Sequence, residues 1–161
     1  MRLFLLLVAA FFTTTAADAQ VRQGLIELGG SASLTSVDLG EDRATLLIFT
    51  PEIGYFFTDQ LEAGVALDYR KAFVDGPDPD GDGDLVLFGE YHFGRFGATT
   101  VPFLGVRLGT SITDDSDLIF GGSGGAKFFF LPGGALTGEL VALTDGDDLD
   151  IGVRGGVSIF F

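Results

Sequence analysis

The sequence predicts an all-β fold, an eight-stranded antiparallel up-and-down transmembrane β-barrel, and three observations carry that reading. Apolar and polar residues alternate with a period of two through eight segments of roughly ten residues, the length a tilted strand needs to cross the hydrocarbon of a bilayer. Beyond the N-terminus no stretch approaches the roughly 18 uninterrupted apolar residues of a spanning helix, so a membrane span here has to be made of strands. The connections between segments alternate in kind, acidic after the odd segments and nearly free of acid after the even ones, as a meander with two unlike ends requires.

The chain opens with Met1-Arg2 as a positive start, an apolar run from Leu3 to Phe12, and a small-x-small site at Ala17-Asp18-Ala19. That pattern is a secretory signal peptide over residues 1–19, too short to be a membrane anchor. Residues 20–161 are then expected to form one barrel domain.

Strand one is expected over Gly24 to Ser36, with Ile26, Leu28, Ala32 and Leu34 on one face and Glu27, Gly29, Ser31 and Ser33 on the other. Strand two, Ala44 to Phe56, turns Leu47, Phe49, Ile53 and Tyr55 one way and Thr50, Glu52 and Gly54 the other, with Pro51 an expected irregularity in the ladder. After the turn Thr58-Asp59-Gln60, strand three runs from Leu61 to Lys71. It puts Leu61, Ala63, Val65, Leu67 and Tyr69 outward and Glu62, Gly64, Ala66, Asp68 and Arg70 inward. Strand four, Leu85 to Phe93, sets Leu85, Leu87 and Tyr91 against Val86, Phe88, Glu90 and His92. Strand five, Val101 to Thr110, exposes Pro102, Leu104, Val106 and Leu108 and hides Phe103, Gly105 and Arg107. Strand six, Leu118 to Phe130, turns Ser123, Gly125 and Lys127 inward, and strand seven, Leu136 to Leu143, does the same with Thr137 and Glu139. The closing strand, Ile151 to Phe161, alternates Ile151, Val153, Val157, Ile159 and Phe161 with Asp150, Gly152, Arg154, Gly156 and Ser158.

The acidic connections hold Asp38, Glu41 and Asp42; then Asp75, Asp78, Asp80, Asp82 and Asp84; then Asp114, Asp115 and Asp117; then Asp145, Asp147 and Asp148. All four fall at one end of a meander, which predicts an anionic rim. Aromatics collect toward the other end: Tyr55, Phe56, Phe57, Tyr91, Phe93, Phe96, Phe103, Phe128, Phe129, Phe130, Phe160 and Phe161 are expected to form a girdle at a membrane interface. A soluble ligand-binding barrel would carry apolar residues inward, whereas here the charged ones point inward.

Composition narrows the partners. A length of 161 residues suits a single domain, and 25 glycines beside 17 phenylalanines fit many short strands better than helices. Without cysteine there is neither a disulfide framework nor a thiolate metal site. A net charge of −14 argues against nucleic acid, whose binding depends on neutralising phosphates with Lys and Arg, and leaves cations as the natural small partners.

On the signal peptide, the eight alternating strands, the short turns at one end, the polar loops at the other and the ending Gly155-Gly156-Val157-Ser158-Ile159-Phe160-Phe161, the chain resembles the small eight-stranded outer-membrane β-barrels of Gram-negative bacteria, the OmpA/OmpX-like group. The resemblance implies a place in the outer membrane, among its lipid and lipopolysaccharide. It also implies that Val157, Ile159 and Phe161 are read by the barrel-assembly machinery as an assembly signal. Members of this group include adhesins, narrow channels, anchors and lipid-modifying enzymes, so the resemblance fixes place better than function.

Three motifs bear on chemistry. His92 is the sole histidine, and no serine neighbours it at a spacing that would make a nucleophile and base, so it reads as a lumen-lining residue and no catalytic site is expected. Gly121-Gly122-Ser123-Gly124-Gly125-Ala126-Lys127 fails as a phosphate loop, because no Ser or Thr follows the lysine and the segment lies in a strand. Its glycines read as room for inward side chains. Asp78-Pro79-Asp80-Gly81-Asp82-Gly83 starts like a calcium loop, but position twelve is Gly89 instead of a bidentate Glu. At most, weak binding of Ca²⁺ or Mg²⁺ by Asp78, Asp80 and Asp82 in the acidic loops is expected, and no other cofactor.

The inward charges Glu27, Glu52, Glu90 and Glu139 with Arg107, Lys127 and Arg154 are expected to pair between neighbouring strands: Lys127 with Glu139, Glu139 with Arg154, Arg154 with Glu27. An eight-stranded barrel has an interior that side chains can fill, so these charges should plug it. The expectation is a non-enzymatic outer-membrane protein, structural or acting at the surface through acidic loops with a partner left open. The alternative is a narrow cation-selective channel or small-solute porin.

Overall fold

The computed structural model describes residues 21–38, 43–73, 81–94, 98–112, 118–146 and 149–161, with the backbone alone for 35–38 and 43–44. Eight strands form one closed antiparallel barrel in which each pairs with the next in sequence and the last with the first: β1 Ile26–Asp38, β2 Arg43–Phe56, β3 Leu61–Phe73, β4 Asp82–His92, β5 Thr100–Ser111, β6 Leu118–Leu131, β7 Gly134–Thr144 and β8 Leu149–Phe160. No described helix is long and apolar enough to cross a membrane. The odd connections leave one rim and the even ones the other; most acidic residues of the odd connections, and all of residues 1–20, lie outside the described residues.

The strand pattern dictates an inside-out distribution. Leu28, Ile53, Val65, Leu87, Leu104, Val106, Leu140, Val153 and Val157 stand on the exterior, while Glu27, Glu62, Asp68, Glu90, Arg107, Lys127, Glu139 and Arg154 are buried within. Buried charges survive only when paired, so the register must bring opposite signs together. Glycine makes that possible on the inner wall. A Cβ on Gly29 would lie 2.6 Å from Glu52 Oε1, and one on Gly105 would lie 2.8 Å from Ser123 Oγ and 3.0 Å from Glu90 Cγ. Pro51 interrupts the β2–β3 ladder, whose pairs skip from Phe49↔Tyr69 to Glu52↔Ala66 without a change of register. Pro132-Gly133 turns β6 into β7, with Gly133 at φ +80° as the second central residue of a tight turn demands.

Two expectations need correction. β4 starts at Asp82, three residues before the expected bound, because Asp82, Gly83 and Asp84 pair with Arg70, Tyr69 and Asp68. The Asp/Gly composition reads as a loop, but Asp84 turns inward to an Arg70 guanidinium at 2.5 Å, which keeps the strand going. The aromatic girdle is also only half a girdle. Tyr55, Phe57, Tyr91, Phe93, Phe128 and Phe161 are exposed and Phe130 half-buried, but Phe56, Phe103, Phe129 and Phe160 are buried inside, because consecutive strand residues face opposite ways; Phe96 lies outside the described residues. Phe56, Phe129 and Phe160 join Val21, Leu25, Val101 and Ala135 in an apolar cluster at the even-turn end of the lumen. Their rings pack at 5.1 Å (Phe129–Phe160) and 6.2 Å (Phe56–Phe160). The segment before β1 is tied to this base by Gly24 N–H donating to the Phe56 carbonyl and Phe56 N–H to the Leu25 carbonyl, both at 2.9 Å.

Candidate functional site

The lumen above the apolar base is a stack of charge layers, each anchored by one cation. In the lowest, Lys127 of β6 donates to Glu27 of β1 and, at 3.2 Å, to Glu62 of β3, with Glu90 of β4 at 3.6 Å. The same ammonium lies over the base aromatics, 5.5 Å from the Phe103 ring centroid and 5.7 Å from that of Phe160. Three carboxylates above and π faces below hold one Lys, which couples the charge layer to the apolar one. His92 joins from β4, its Nε2 3.0 Å from Glu62 Oε2 and its ring 5.1 Å from Phe56 and 5.8 Å from Phe103.

The next layer belongs to Arg107 of β5. Its Nη2 donates to Glu139 Oε2 at 3.1 Å and lies 3.7 Å from Glu90 Oε1, while the guanidinium sits 5.7 Å from the Phe88 ring. Higher still, Arg154 of β8 makes a bidentate pair across the lumen to Asp68 of β3 at 2.9 and 3.1 Å and donates to Thr50 of β2 at 3.1 Å. Arg70 with Asp84, and Asp150 at 3.9 Å, form the outermost layer. A planar guanidinium matches a carboxylate edge to edge, so the Arg154–Asp68 pair fixes the separation of β8 and β3 as well as neutralising both.

All seven sequence-predicted network residues, Glu27, Glu52, Glu90, Arg107, Lys127, Glu139 and Arg154, stand on the inner wall, but their partners differ from those expected. Lys127 pairs with Glu27 and Glu62 instead of Glu139, and Arg154 pairs with Asp68 instead of Glu139 or Glu27. Glu139 does face Arg154 across the β7–β8 ladder, yet its carboxylate reaches Arg107. Long side chains in a narrow lumen meet across it as readily as along the wall. Glu62, Asp68 and His92 belong to the network as well; their inward parity is legible in the sequence, but pairing between adjacent strands alone does not reveal their partners.

Below the exposed rim, where Asp150 stands, the lumen holds seven carboxylates, Glu27, Glu52, Glu62, Asp68, Asp84, Glu90 and Glu139, against the four cations Arg70, Arg107, Lys127 and Arg154, among the described residues. Glu62, Glu90 and His92 present ligand atoms within 4.8 Å of one another, a donor set that suits a cation, and the Lys127 ammonium stands against the same two carboxylates. Of the acidic-loop residues expected to meet Ca²⁺ or Mg²⁺, Asp78 and Asp80 lie outside the described residues and Asp82 is the exposed first residue of β4. Of the expected assembly signal, Val157, Ile159 and Phe161 all face outward.

Comparison with solved structures gives likenesses over almost the whole barrel. The N-terminal β-barrel domain of OprF from Pseudomonas aeruginosa matches at 21% identity and a TM-score of 0.62, covering 86% of this chain and 98% of that one. Neisserial surface protein A, NspA, matches at 17% identity and a TM-score of 0.65, covering 86% and 98%. The outer membrane protein OprG from Pseudomonas aeruginosa matches at 13% identity and a TM-score of 0.57, covering 90% and 99%. No protein-family profile matches the chain, and no curated protein does.

Proposed function

From the fold of the small eight-stranded outer-membrane β-barrels, which this chain shares, we propose that it is an integral outer-membrane protein without enzymatic activity, with a closed lumen and a structural or surface-interaction role carried by its acidic loops. The apolar exterior supports the membrane setting, because a belt of this extent in water would drive association. Outer-membrane lipid and lipopolysaccharide are its surroundings in this reading, and Val157, Ile159 and Phe161 the residues met by the assembly machinery.

The observation that carries the closed lumen is the Lys127 layer seated on the aromatic base. Phe56 and His92 are fully buried and Lys127 almost so. Water-filled passage would have to separate Lys127 from Glu27 and Glu62 and lift it from the rings beneath, leaving buried charge unpaired. Purified protein in planar bilayers is therefore expected to give no steady single-channel current. The excess of lumen carboxylates favours one rival, a narrow cation-selective channel. Steady cation-selective conductance from folded, heat-modifiable protein would establish that rival and overturn the closed-lumen reading.

A further inference from the structure

Two features coincide in the outer half of the barrel wall. The closing β1–β8 ladder runs from Glu27↔Phe160 to Ala32↔Gly155, and among the described residues no backbone pair joins the two strands above it, although β1 continues to Asp38 and β8 starts at Leu149. Behind this seam lies a cavity of about 160 Å³ bounded on its apolar side by Leu46 and Ile48 of β2 and Val141 and Leu143 of β7, at the seam by Ser33 of β1 and Ile151 and Gly152 of β8, and on its polar side by Arg70, Asp150 and Arg154. The lower lumen is packed with ion pairs, whereas here Leu46, Ile48, Val141 and Leu143 give the inner wall an apolar side that faces Arg70, Asp150 and Arg154 across the space. The volume leaves room for the end of one hydrocarbon chain against the apolar side.

The seam also opens onto the apolar exterior. Leu34 (71% exposed), Ile151 (71%) and Val153 (68%) flank it on the outside, among the most exposed apolar side chains of the barrel. Counting roughly 9–11 tilted-strand residues for the hydrocarbon from Ile26 puts the lower part of the seam in the outer leaflet and its upper part at the headgroups. Backbone edges that lose their strand partner need polar ones, while Leu46, Ile48, Val141 and Leu143 need apolar contact. An occupant that meets both demands is amphiphilic.

We propose that this seam admits one hydrocarbon chain of an outer-leaflet lipid into the cavity, with the lipid's polar head at the open β1 and β8 edges beside Arg70. The inference rests on the membrane reading above, and it gives the barrel a lipid-binding site in its wall. The lipid enters sideways from the bilayer, so the closed base and the Lys127 layer stay in place.

The test uses protein labelled at Ile, Leu and Val methyls in lipid nanodiscs, with nuclear Overhauser cross-peaks to lipid methylenes as the readout. Cross-peaks are expected at the inward methyls of Ile48, Val141 and Leu143 as well as at the outward Leu140 and Val106, and not at Val86 or Val101, which are buried elsewhere in the lumen. A Cβ at Gly152 would meet nothing within 4 Å. Gly152→Leu is therefore expected to fold, occupy the space and remove the inward cross-peaks while the outward ones remain. Water cross-peaks at Val141 and Leu143, or lipid cross-peaks confined to Leu140 and Val106, would overturn the site and leave the membrane reading intact. Equal lipid cross-peaks at Val86 and Val101 would also overturn it, as magnetisation relayed through the wall. No lipid cross-peak at Leu140 or Val106 would remove the membrane reading and the site together.

Discussion

Lys127 illustrates how much one side chain carries in a lumen this narrow. It faces Glu27, Glu62 and Glu90 from above an aromatic floor, and removing it leaves three carboxylates with no cation in their layer. Lys127→Ala is expected to lower the unfolding free energy by about 3–5 kcal/mol, the usual cost of stripping one partner from a buried ion pair. Asp150→Ala, at an exposed carboxylate 3.9 Å from Arg70, is expected to cost no more than about 1 kcal/mol. Urea titration of the folded barrel in detergent compares the two, and equal losses would show that the layer is not energetically special. Glycines make a second residue-scale contrast. A Cβ on Gly121 would run into the Ala142 carbonyl and the Leu143 Cα at 2.9 Å, contacts with backbone that cannot swing aside, whereas one on Gly138 meets nothing within 4 Å. Gly121→Ala is expected to destabilise by about 1–3 kcal/mol and Gly138→Ala by much less, with the same titration as the check.

At the scale of the element, β8 closes the barrel with a ladder confined to its final residues. Past the last strand residue, Ile26 N–H donates to the Phe161 carbonyl at 2.8 Å and Phe161 N–H to the Ile26 carbonyl at 3.0 Å, while the Phe161 ring stays exposed. Backbone closure and aromatic side chain are thus separable. Phe161→Ala keeps both hydrogen bonds, so its refolding yield in detergent is expected to stay near that of the parent protein. Its yield in the outer membrane of expressing cells is expected to fall several-fold if Val157, Ile159 and Phe161 form the assembly signal. Unchanged membrane yield, measured by fractionation and heat-modified gel mobility, would remove that role. β4 makes a different point about elements: its Asp82-Gly83-Asp84 start has loop composition and strand geometry, because Arg70 on the neighbouring strand supplies the counter-charge.

At the scale of the whole molecule, the net charge of −14 is unevenly spread along the chain, with the acidic odd connections all leaving one rim. Like charges gathered at one end repel, and a divalent cation relieves that repulsion more effectively than the same ionic strength of a monovalent salt. Millimolar Ca²⁺ is expected to raise the temperature at which the barrel loses its heat-resistant gel mobility. The triple substitution Asp78→Asn, Asp80→Asn and Asp82→Asn is expected to reduce that rise. An undiminished calcium response in the triple variant would take the β3–β4 connection out of the argument.

The sequence alone determined the strand count, the meander order and which residue faces which way, since all three follow from a period of two and from turn chemistry within a few residues of chain. Glu27, Arg107, Lys127 and Arg154 were legible as inward on that basis. Tertiary structure decided everything that depends on the width of the lumen. Strand parity says that Lys127 and Phe160 point in; only the closed cylinder brings the ammonium to 5.7 Å from that ring, and only its diameter lets Arg154 reach past Glu139 to Asp68. Alternation within each strand splits the expected girdle into an exposed half and a buried half, and only closure of the barrel packs Phe56, Phe129 and Phe160 of the buried half into one floor. The β1–β8 seam was beyond sequence altogether, because how far two strands remote in the chain stay paired depends on how all eight tilt and close.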